Sequence, residues 1–293
     1  MDFKNLVIIG ERINPGFRSS KKLFDESDID GIRKLAASQA EKGAKYLNVN
    51  IGDRAMKDQA FYREVIRAIQ STVSLPLSFD FPNREVQEIC LETYDPARAN
   101  GARPIMNSIS ELRWDMLELY KKFRFKVILM VSERMEDGER ISNKTPDEVY
   151  MTARRMIRYI LETADNISIN DIFIDVSVCP VAGDMEGLIR MAVESIKKIG
   201  SDRELKGVHM SVGLSNISIM VPPQALNNSP LKLYLESAFL TNTVPFGLDT
   251  IIGTPGREYK NLPENDFVLQ GFNEALKLDG IEAVMRIQKL YME

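Results

Sequence analysis

Carboxylate and amide side chains interrupt apolar segments that are predicted to be strands. They are Glu11, Asn14, Asn48, Asn50, Asp80, Asn107, Asp175 and Asn216. A carboxylate accepts two hydrogen bonds from an N–H group and a neighbouring amine, and an amide donates or accepts as each ring atom requires. The set therefore fits a neutral heterocycle rich in N–H groups, such as the edge of an aminopyrimidinone ring.

Two other interpretations of these side chains remain open. A single Asn or Asp at a strand end more often caps a helix or bonds a loop amide than it binds a ligand, but the repetition along the chain favours a site. A divalent cation is the rival ligand for Asp80 and Asp175. Hard cations usually gather more carboxylates or a histidine, so the heterocycle is the preferred prediction.

The composition limits the class of protein. The 293 residues are 44% hydrophobic and 27% charged, as in a soluble globular protein. No apolar run approaches the roughly 20 residues of a membrane span. The apolar segment 6–9 is too short for a signal sequence, because Glu11 and Arg12 follow it closely. These features predict a cytoplasmic protein that does not bind membranes.

Several chemistries lack the residues that they require. The only cysteines, Cys90 and Cys179, lie far apart, and His209 is the only histidine, so disulfides, zinc clusters and Ser-His-Asp catalysis are not indicated. A net charge of −4 provides no basic field for nucleic acid. Neither a dinucleotide fingerprint nor a phosphate loop is present.

Strands and helices are predicted to alternate along the chain. The predicted strands are 6–14, 45–53, 77–81, 105–109, 126–131, 172–178, 208–216 and 247–252, and the predicted helices are 28–42, 58–73, 84–94, 112–123, 145–164, 184–200, 229–242 and a closing helical region 264–291. The alternation predicts one (β/α)8 TIM-barrel domain over residues 1–293, with an open doubly wound sheet as the alternative. In a barrel, the polar strand ends converge on one mouth. The charged segment 133–144 is expected to be a loop, either solvated or acting as a lid or docking element.

Short motifs along nearly the whole chain resemble those of the pterin-binding methyltransferases that act on methyltetrahydrofolate and a corrinoid protein. The motifs are Gly10-Glu11-Arg12-Ile13-Asn14, Leu47-Asn48-Val49-Asn50-Ile51-Gly52, Phe79-Asp80, Met106-Asn107-Ser108, Ile174-Asp175 and Gly213-Leu214-Ser215-Asn216-Ile217-Ser218. This family is related to the folate module of cobalamin-dependent methionine synthase and more remotely to dihydropteroate synthase. One position departs from its pattern, because Asn48 stands where the family typically has Asp.

The resemblance implies a dihydropteroate synthase-like barrel, a homodimer, and a pterin held in the barrel mouth. By motif, Asp80, Asn107 and Asp175 hold the pterin ring, and Asn216 lies near N5 and donates a hydrogen bond to it. The remaining predicted site residues are Glu11, Asn14, Asn48, Asn50 and Ser215. No Asp-x-His-x-x-Gly motif is present, so cobalamin is expected on a separate corrinoid protein, and no bound metal is expected.

The function that the resemblance implies is methyl transfer between tetrahydrofolate and the cobalt of that corrinoid protein. A dihydropteroate synthase-type condensation and a non-catalytic folate-binding subunit are the alternatives. Pocket residues do not distinguish the direction of transfer, so both acetyl-CoA synthesis and the demethylation of O- or N-methyl compounds remain open. They also leave the corrinoid partner and its docking surface unspecified.

Overall fold

Eight parallel strands close into a barrel in the computed structural model, which describes residues 3–292. Around the barrel the strand order is β1-β10-β9-β8-β5-β4-β3-β2, and the remaining two strands form a separate hairpin. The strands are β1 (Val7–Ile13), β2 (Tyr46–Val49), β3 (Leu77–Asp80), β4 (Ile105–Ile109), β5 (Lys126–Met130), β6 (Glu133–Glu136), β7 (Glu139–Ser142), β8 (Ile172–Asp175), β9 (His209–Gly213) and β10 (Thr250–Gly253). The predicted (β/α)8 barrel is confirmed.

Helices connect the strands around the outside of the barrel. They are α1 (Arg18–Asp25), α2 (Ile29–Glu41), α3 (Arg54–Lys57), α4 (Gln59–Thr72), α5 (Arg84–Thr93), α6 (Pro146–Thr163), α7 (Leu188–Ser201), α8 (Leu231–Thr243), α9 (Phe267–Ala275) and α10 (Gly280–Gln288). Polar side chains fix several helix starts: Thr145 and Glu148 form the predicted capping box of α6, and Asp28 accepts a bond from the Gly31 amide. Among residues 3–292, no helix is long and apolar enough to cross a membrane.

The barrel encloses a small apolar layer of its own. Ile9, Ile105, Ile128 and Phe173 are buried together inside the strands, and Ile252 packs against them. A much larger cluster fills the space between the strands and the helices. Because side chains inside a small barrel fill its interior, this inner layer forms a floor beneath the mouth at the carboxyl ends of the strands.

Three predicted segments differ from the structure. Segment 133–144, predicted as a loop, contains the antiparallel hairpin β6–β7, because Asp137 and Gly138 adopt the positive φ angles of a two-residue hairpin turn. The helix predicted at 112–123 is a run of 3₁₀ turns, Glu111–Lys121, broken at Arg113. The closing region is two helices, α9 and α10, and the short helices α1 and α3 were not predicted.

Candidate active site in the barrel mouth

A cavity of about 310 Å³ lies at the carboxyl ends of the strands. Of the nine predicted site residues, these eight line it: Glu11, Asn14, Asn48, Asp80, Asn107, Asp175, Ser215 and Asn216. The other lining residues are Phe17, Ser108, Ile128, Met130, Ser177, Val178, Gly213 and Ile252. A cavity with an apolar floor and a polar rim is typical of a small-molecule site.

The strand register brings the polar side chains of the mouth to one level. Asp80 at the end of β3 is paired with Asn107 on β4, and Met130 at the end of β5 is paired with Asp175 on β8. Since these strands neighbour one another in the barrel, one small ring can contact both carboxylates and the amide between them.

Asparagine side chains hold the Asp80 carboxylate. Asn48 donates from Nδ2 to Asp80 Oδ2 at 2.9 Å, and Asn107 donates to Asn48 Oδ1 at 3.4 Å. Burial raises the pKa of Asp80, and the hydrogen bonds from Asn48 and Asn50 oppose that rise. An aspartate at position 48 could not donate in this way when ionised, so the amide of Asn48 stabilises the charged form of Asp80.

The Asp175 carboxylate has a more strongly altered acidity. Burial raises its pKa to about 6; a hydrogen bond from the Ser177 amide lowers the pKa, and the nearby Asp80 charge raises it. The Ser177 N–H lies 2.7 Å from Asp175 Oδ1. Asp175 is therefore a carboxylate whose charge costs free energy until a ligand supplies donors to it.

Glu11 joins the ends of three strands. Its two carboxylate oxygens accept hydrogen bonds from Ser215 Oγ at 2.7 Å and from Thr254 Oγ1 at 2.6 Å. The residue is only 5% exposed, and burial raises its pKa while the Thr254 and Ser215 hydroxyls lower it. Because both oxygens are engaged, the contacts of Glu11 are those of a clamp between β1 and the ends of β9 and β10.

Asn216 lies in a 3₁₀ turn, Leu214–Ser218, that follows β9 directly. Among residues 3–292, no hydrogen bond engages its side-chain amide, which reaches the rim of the cavity. A Cβ atom on Gly213 would come within 2.8 Å of Asn216 Nδ2. The glycine therefore leaves the space in which the amide lies.

Two of the predicted asparagines also shape the backbone. Asn14 Oδ1 accepts a bond from the Gly16 amide at 2.8 Å, and Asn50 Oδ1 accepts one from the Gly52 amide at 2.7 Å. Asn50 does not line the cavity. A hydrogen bond from Asn50 lowers the pKa of Asp80. Asn50 therefore stabilises the Asp80 carboxylate and does not contact a ligand in the cavity directly.

A sequence model of the family described as "Pterin binding enzyme" matches residues 12–252. That range contains eight of the nine predicted site residues, all except Glu11, and nearly the whole barrel. The chain belongs to the pterin-binding enzyme family. The family predicted from the motifs is confirmed.

Relatives of this pterin-binding enzyme agree with the assignment. A methylcorrinoid:tetrahydrofolate methyltransferase from Eubacterium limosum is 26% identical over 259 residues, which cover 85% of each chain. A dihydropteroate synthase from Xanthomonas albilineans is 18% identical, with a TM-score of 0.58 over 86% of this chain and 88% of its own. A dihydropteroate synthase from Thermus thermophilus is also 18% identical, with a TM-score of 0.56 over 94% of this chain and 93% of its own. At this identity the two synthases show a shared fold.

Sequence analysis of this pterin-binding enzyme missed polar residues beside the mouth. Thr254 follows β10 and bonds Glu11, and the fully buried Glu236 on α8 accepts bonds from Ser218 and from Arg257. Thr254 could have been found as another polar residue at a strand end. Glu236 carried no such signal, because it lies within a helix and its partners are brought to it only by the fold.

Proposed function

We propose that the protein transfers a methyl group between N5 of tetrahydrofolate and the cobalt of a corrinoid carried by a separate protein. Membership of the pterin-binding enzymes and the name of the Eubacterium limosum relative support this function. The observation that carries it is the mouth itself, where Asp80, Asn107 and Asp175 meet beneath the free amide of Asn216.

Pterin recognition is proposed to come from the two carboxylates and the amide between them. The ring presents an N–H group beside an exocyclic amine, and a carboxylate can accept from both. Asp175 and Asp80 lie in the buried part of the mouth, where such bonds are stronger than in water. Their contacts are the same in the ground state and in the transition state, so these residues mainly orient the ring.

The chemical step requires a change of charge at N5. When the methyl group leaves N5 for cobalt(I), the electrons of the N5–carbon bond remain on the nitrogen, and the cobalt electron pair forms the new bond. An amine is a poor leaving group as an anion, so N5 must gain a proton or a strong hydrogen bond by the transition state. Asn216 Nδ2 is proposed to donate that bond, which strengthens as the charge develops.

The alternative condensation of a pterin pyrophosphate is disfavoured by the charge of the mouth. Pyrophosphate binding needs a cation, and none of the described residues that line the cavity is Lys or Arg. Arg257 lies nearby but is bonded to the buried Glu236. A non-catalytic folate-binding subunit would not require the unengaged amide of Asn216 at the rim.

The proposal has further parts, of which the homodimer and the corrinoid partner depend on the family resemblance. They are a homodimer, a cytoplasmic location, a single domain spanning residues 1–293, catalysis without a bound metal, and a corrinoid protein as the partner. The last is supported by the name of the Eubacterium limosum relative. The mouth serves either direction of transfer, since the same residues surround N5 as nucleophile and as leaving group.

Turnover distinguishes this function from folate binding alone. We would mix the protein with 5-methyltetrahydrofolate and free cob(I)alamin under reducing conditions and follow the absorbance change to methylcobalamin. The proposal predicts conversion that depends on the protein concentration. A protein that binds methyltetrahydrofolate but transfers no methyl group, to cobalamin or to any corrinoid protein, would have another function.

A further inference from the structure

A second cavity of about 270 Å³ adjoins the mouth. The two cavities share Ser177 and Val178, which closely follow Asp175 at the end of β8. On its far side the second cavity is bounded by the hairpin β6–β7, and the side chains of Arg140 and Lys144 line it. The two cavities are therefore neighbours on either side of the segment that follows β8.

The two cations that line the second cavity each form one ion pair, Arg140 with a buried carboxylate and Lys144 with an exposed one. Arg140 Nε lies 2.8 Å from Glu133 Oε2, and Lys144 forms an ion pair with Glu186. The Arg140 and Lys144 side chains are 67% and 61% exposed. The Lys144–Glu186 pair is exposed on both sides and contributes little to stability, so Lys144 can exchange its partner for a carboxylate of a ligand. Arg140 is itself exposed and can contact such a carboxylate while it stays paired with the buried Glu133.

Arg113 adds a cation beside the mouth, although its side chain lines neither cavity. Its Nη2 is 3.5 Å from the Ser108 hydroxyl of the mouth, while its Nε is buried and has no hydrogen-bond partner among the described residues. Burial lowers the pKa of Arg113; the nearby charges of Glu133 and Asp115 raise that pKa, and the charge of Arg140 lowers it.

Of these three cations, Arg113 is the one without a direct ion pair among residues 3–292. The carboxylates of Glu133 and Glu186 balance Arg140 and Lys144, and no described carboxylate forms an ion pair with Arg113. A half-buried guanidinium without an anionic partner is costly unless an anion binds to it. Arg140 and Lys144 therefore offer donors to an anion bound in the second cavity, which adjoins the pterin pocket.

We propose that this cavity binds the p-aminobenzoyl-glutamate tail of the folate, with its carboxylates directed toward Arg113, Arg140 and Lys144. This inference rests on the proposed function. The tail leaves the pterin at C6, the atom next to N5, and thus near Asn216 at the end of β9. Strands β9, β8 and β5 are consecutive in the barrel, so the path from Asn216 over Ser177 leads to the hairpin that follows β5.

Affinity for ligands with and without the tail tests the site. The probes are 5-methyltetrahydrofolate with one or three glutamyl residues and a 5-methyltetrahydropterin that carries only a methyl group at C6. Dissociation constants would be measured for the wild type, Arg113→Gln, Arg140→Gln and the charge-matched control Arg63→Gln. Arg63 lies on α4, where it bonds Glu92 and Thr93, and it lines neither cavity.

The wild type should bind the triglutamate most tightly, and each cavity variant should lose about tenfold in affinity for the tailed ligands only, as expected for a charge-assisted hydrogen bond. Arg63→Gln should match the wild type. Equal affinity of the wild type for the tailless pterin and the triglutamate would overturn the tail site while leaving the pterin pocket intact. Failure of the wild type to bind any of the three probes would overturn the proposed function together with the tail site.

Discussion

The position of the Asn216 amide depends on a glycine three residues before it. A methyl group at position 213 would lie within 2.8 Å of Asn216 Nδ2, and the side-chain end is free to move away. Gly213→Ala should therefore displace the amide and lower the rate of methyl transfer at least about tenfold, while the melting temperature changes by a few degrees at most. Gly183→Ala, at a glycine with open space around it, is the control. A variant with a normal rate would show that the amide need not lie there.

The acidity of Asp175 predicts how substrate binding depends on pH. Its pKa in the folded protein is about 6, and the N–H donors of a pterin favour the ionised form. Affinity for methyltetrahydrofolate should thus be constant above pH 7 and fall as the pH drops through 6, with a proton released on binding near pH 6. Asp175→Asn should bind weakly at every pH and lack this dependence. Titration calorimetry in buffers of different ionisation enthalpy measures the affinity and the number of protons released. If the variant shows the same pH profile as the wild type, the pH dependence does not come from Asp175.

The raised pKa of Asp175 also makes the stability of the fold depend on pH. The pKa of Asp175 is higher in the folded protein than the ordinary value of 3.8, so the folded state binds the proton more tightly. Ionisation of Asp175 therefore lowers the free energy of unfolding. The loss is absent at low pH, where the side chain is protonated in both states, and it grows as the pH rises from 4 to above 6. Asp175→Asn should then raise the free energy of unfolding at pH 7 by about 3 kcal/mol in the absence of ligand. Urea denaturation at pH 7 would test this, and a destabilised variant would contradict it.

At the scale of elements, the hairpin β6–β7 is held by its turn. Asp137 and Gly138 have φ angles of 51° and 83°, which side chains other than glycine adopt at a cost. Gly138→Ala should loosen the hairpin by about 1 kcal/mol and speed amide hydrogen exchange in residues 133–142. Gly183→Ala, whose φ is ordinary, is the control. Unchanged exchange would mean that the hairpin is held by its ion pairs and not by the turn.

Sequence analysis predicted the barrel strands better than the connections between them. Apolar segments alternating with helices are a strong signal because each strand is buried on both faces. The charge of segment 133–144 favours a solvated loop, but Asp137-Gly138 is a typical hairpin turn and joins β6 to β7. The 3₁₀ turns at Glu111–Lys121 were predicted as a helix because their apolar spacing resembles that of one.

At the scale of the whole molecule, the candidate site was predictable wherever a strand end carried its own signal. Asp80, Asn107, Asp175 and Asn216 each end an apolar segment, so the fold alone brings them together. Only half of the clamp on Glu11 was predicted, because Thr254, which follows β10, was not among the predicted polar strand ends. The departure at Asn48 could be understood only when its bond to Asp80 was seen.

The whole mouth also predicts how the enzyme responds to chelators. Among residues 3–292, no group of three His, Cys, Asp or Glu residues is arranged to hold a metal, and Asp80 and Asp175 already accept bonds from amides. Methyl transfer should therefore proceed at the same rate after incubation with EDTA as after incubation in buffer alone. Loss of transfer that added divalent metal restores would instead assign Asp80 and Asp175 to a cation.

The most direct test of the central claim compares binding and transfer in Asn216→Ala. Single-turnover conversion of cob(I)alamin to methylcobalamin would be followed by stopped-flow absorbance at saturating 5-methyltetrahydrofolate, beside the dissociation constant of the same variant. We predict a transfer rate lower by about 100-fold, as for the loss of a donor to a developing charge, with affinity reduced less than tenfold. An unchanged transfer rate, or a loss confined to affinity, would contradict the assignment of Asn216 to N5.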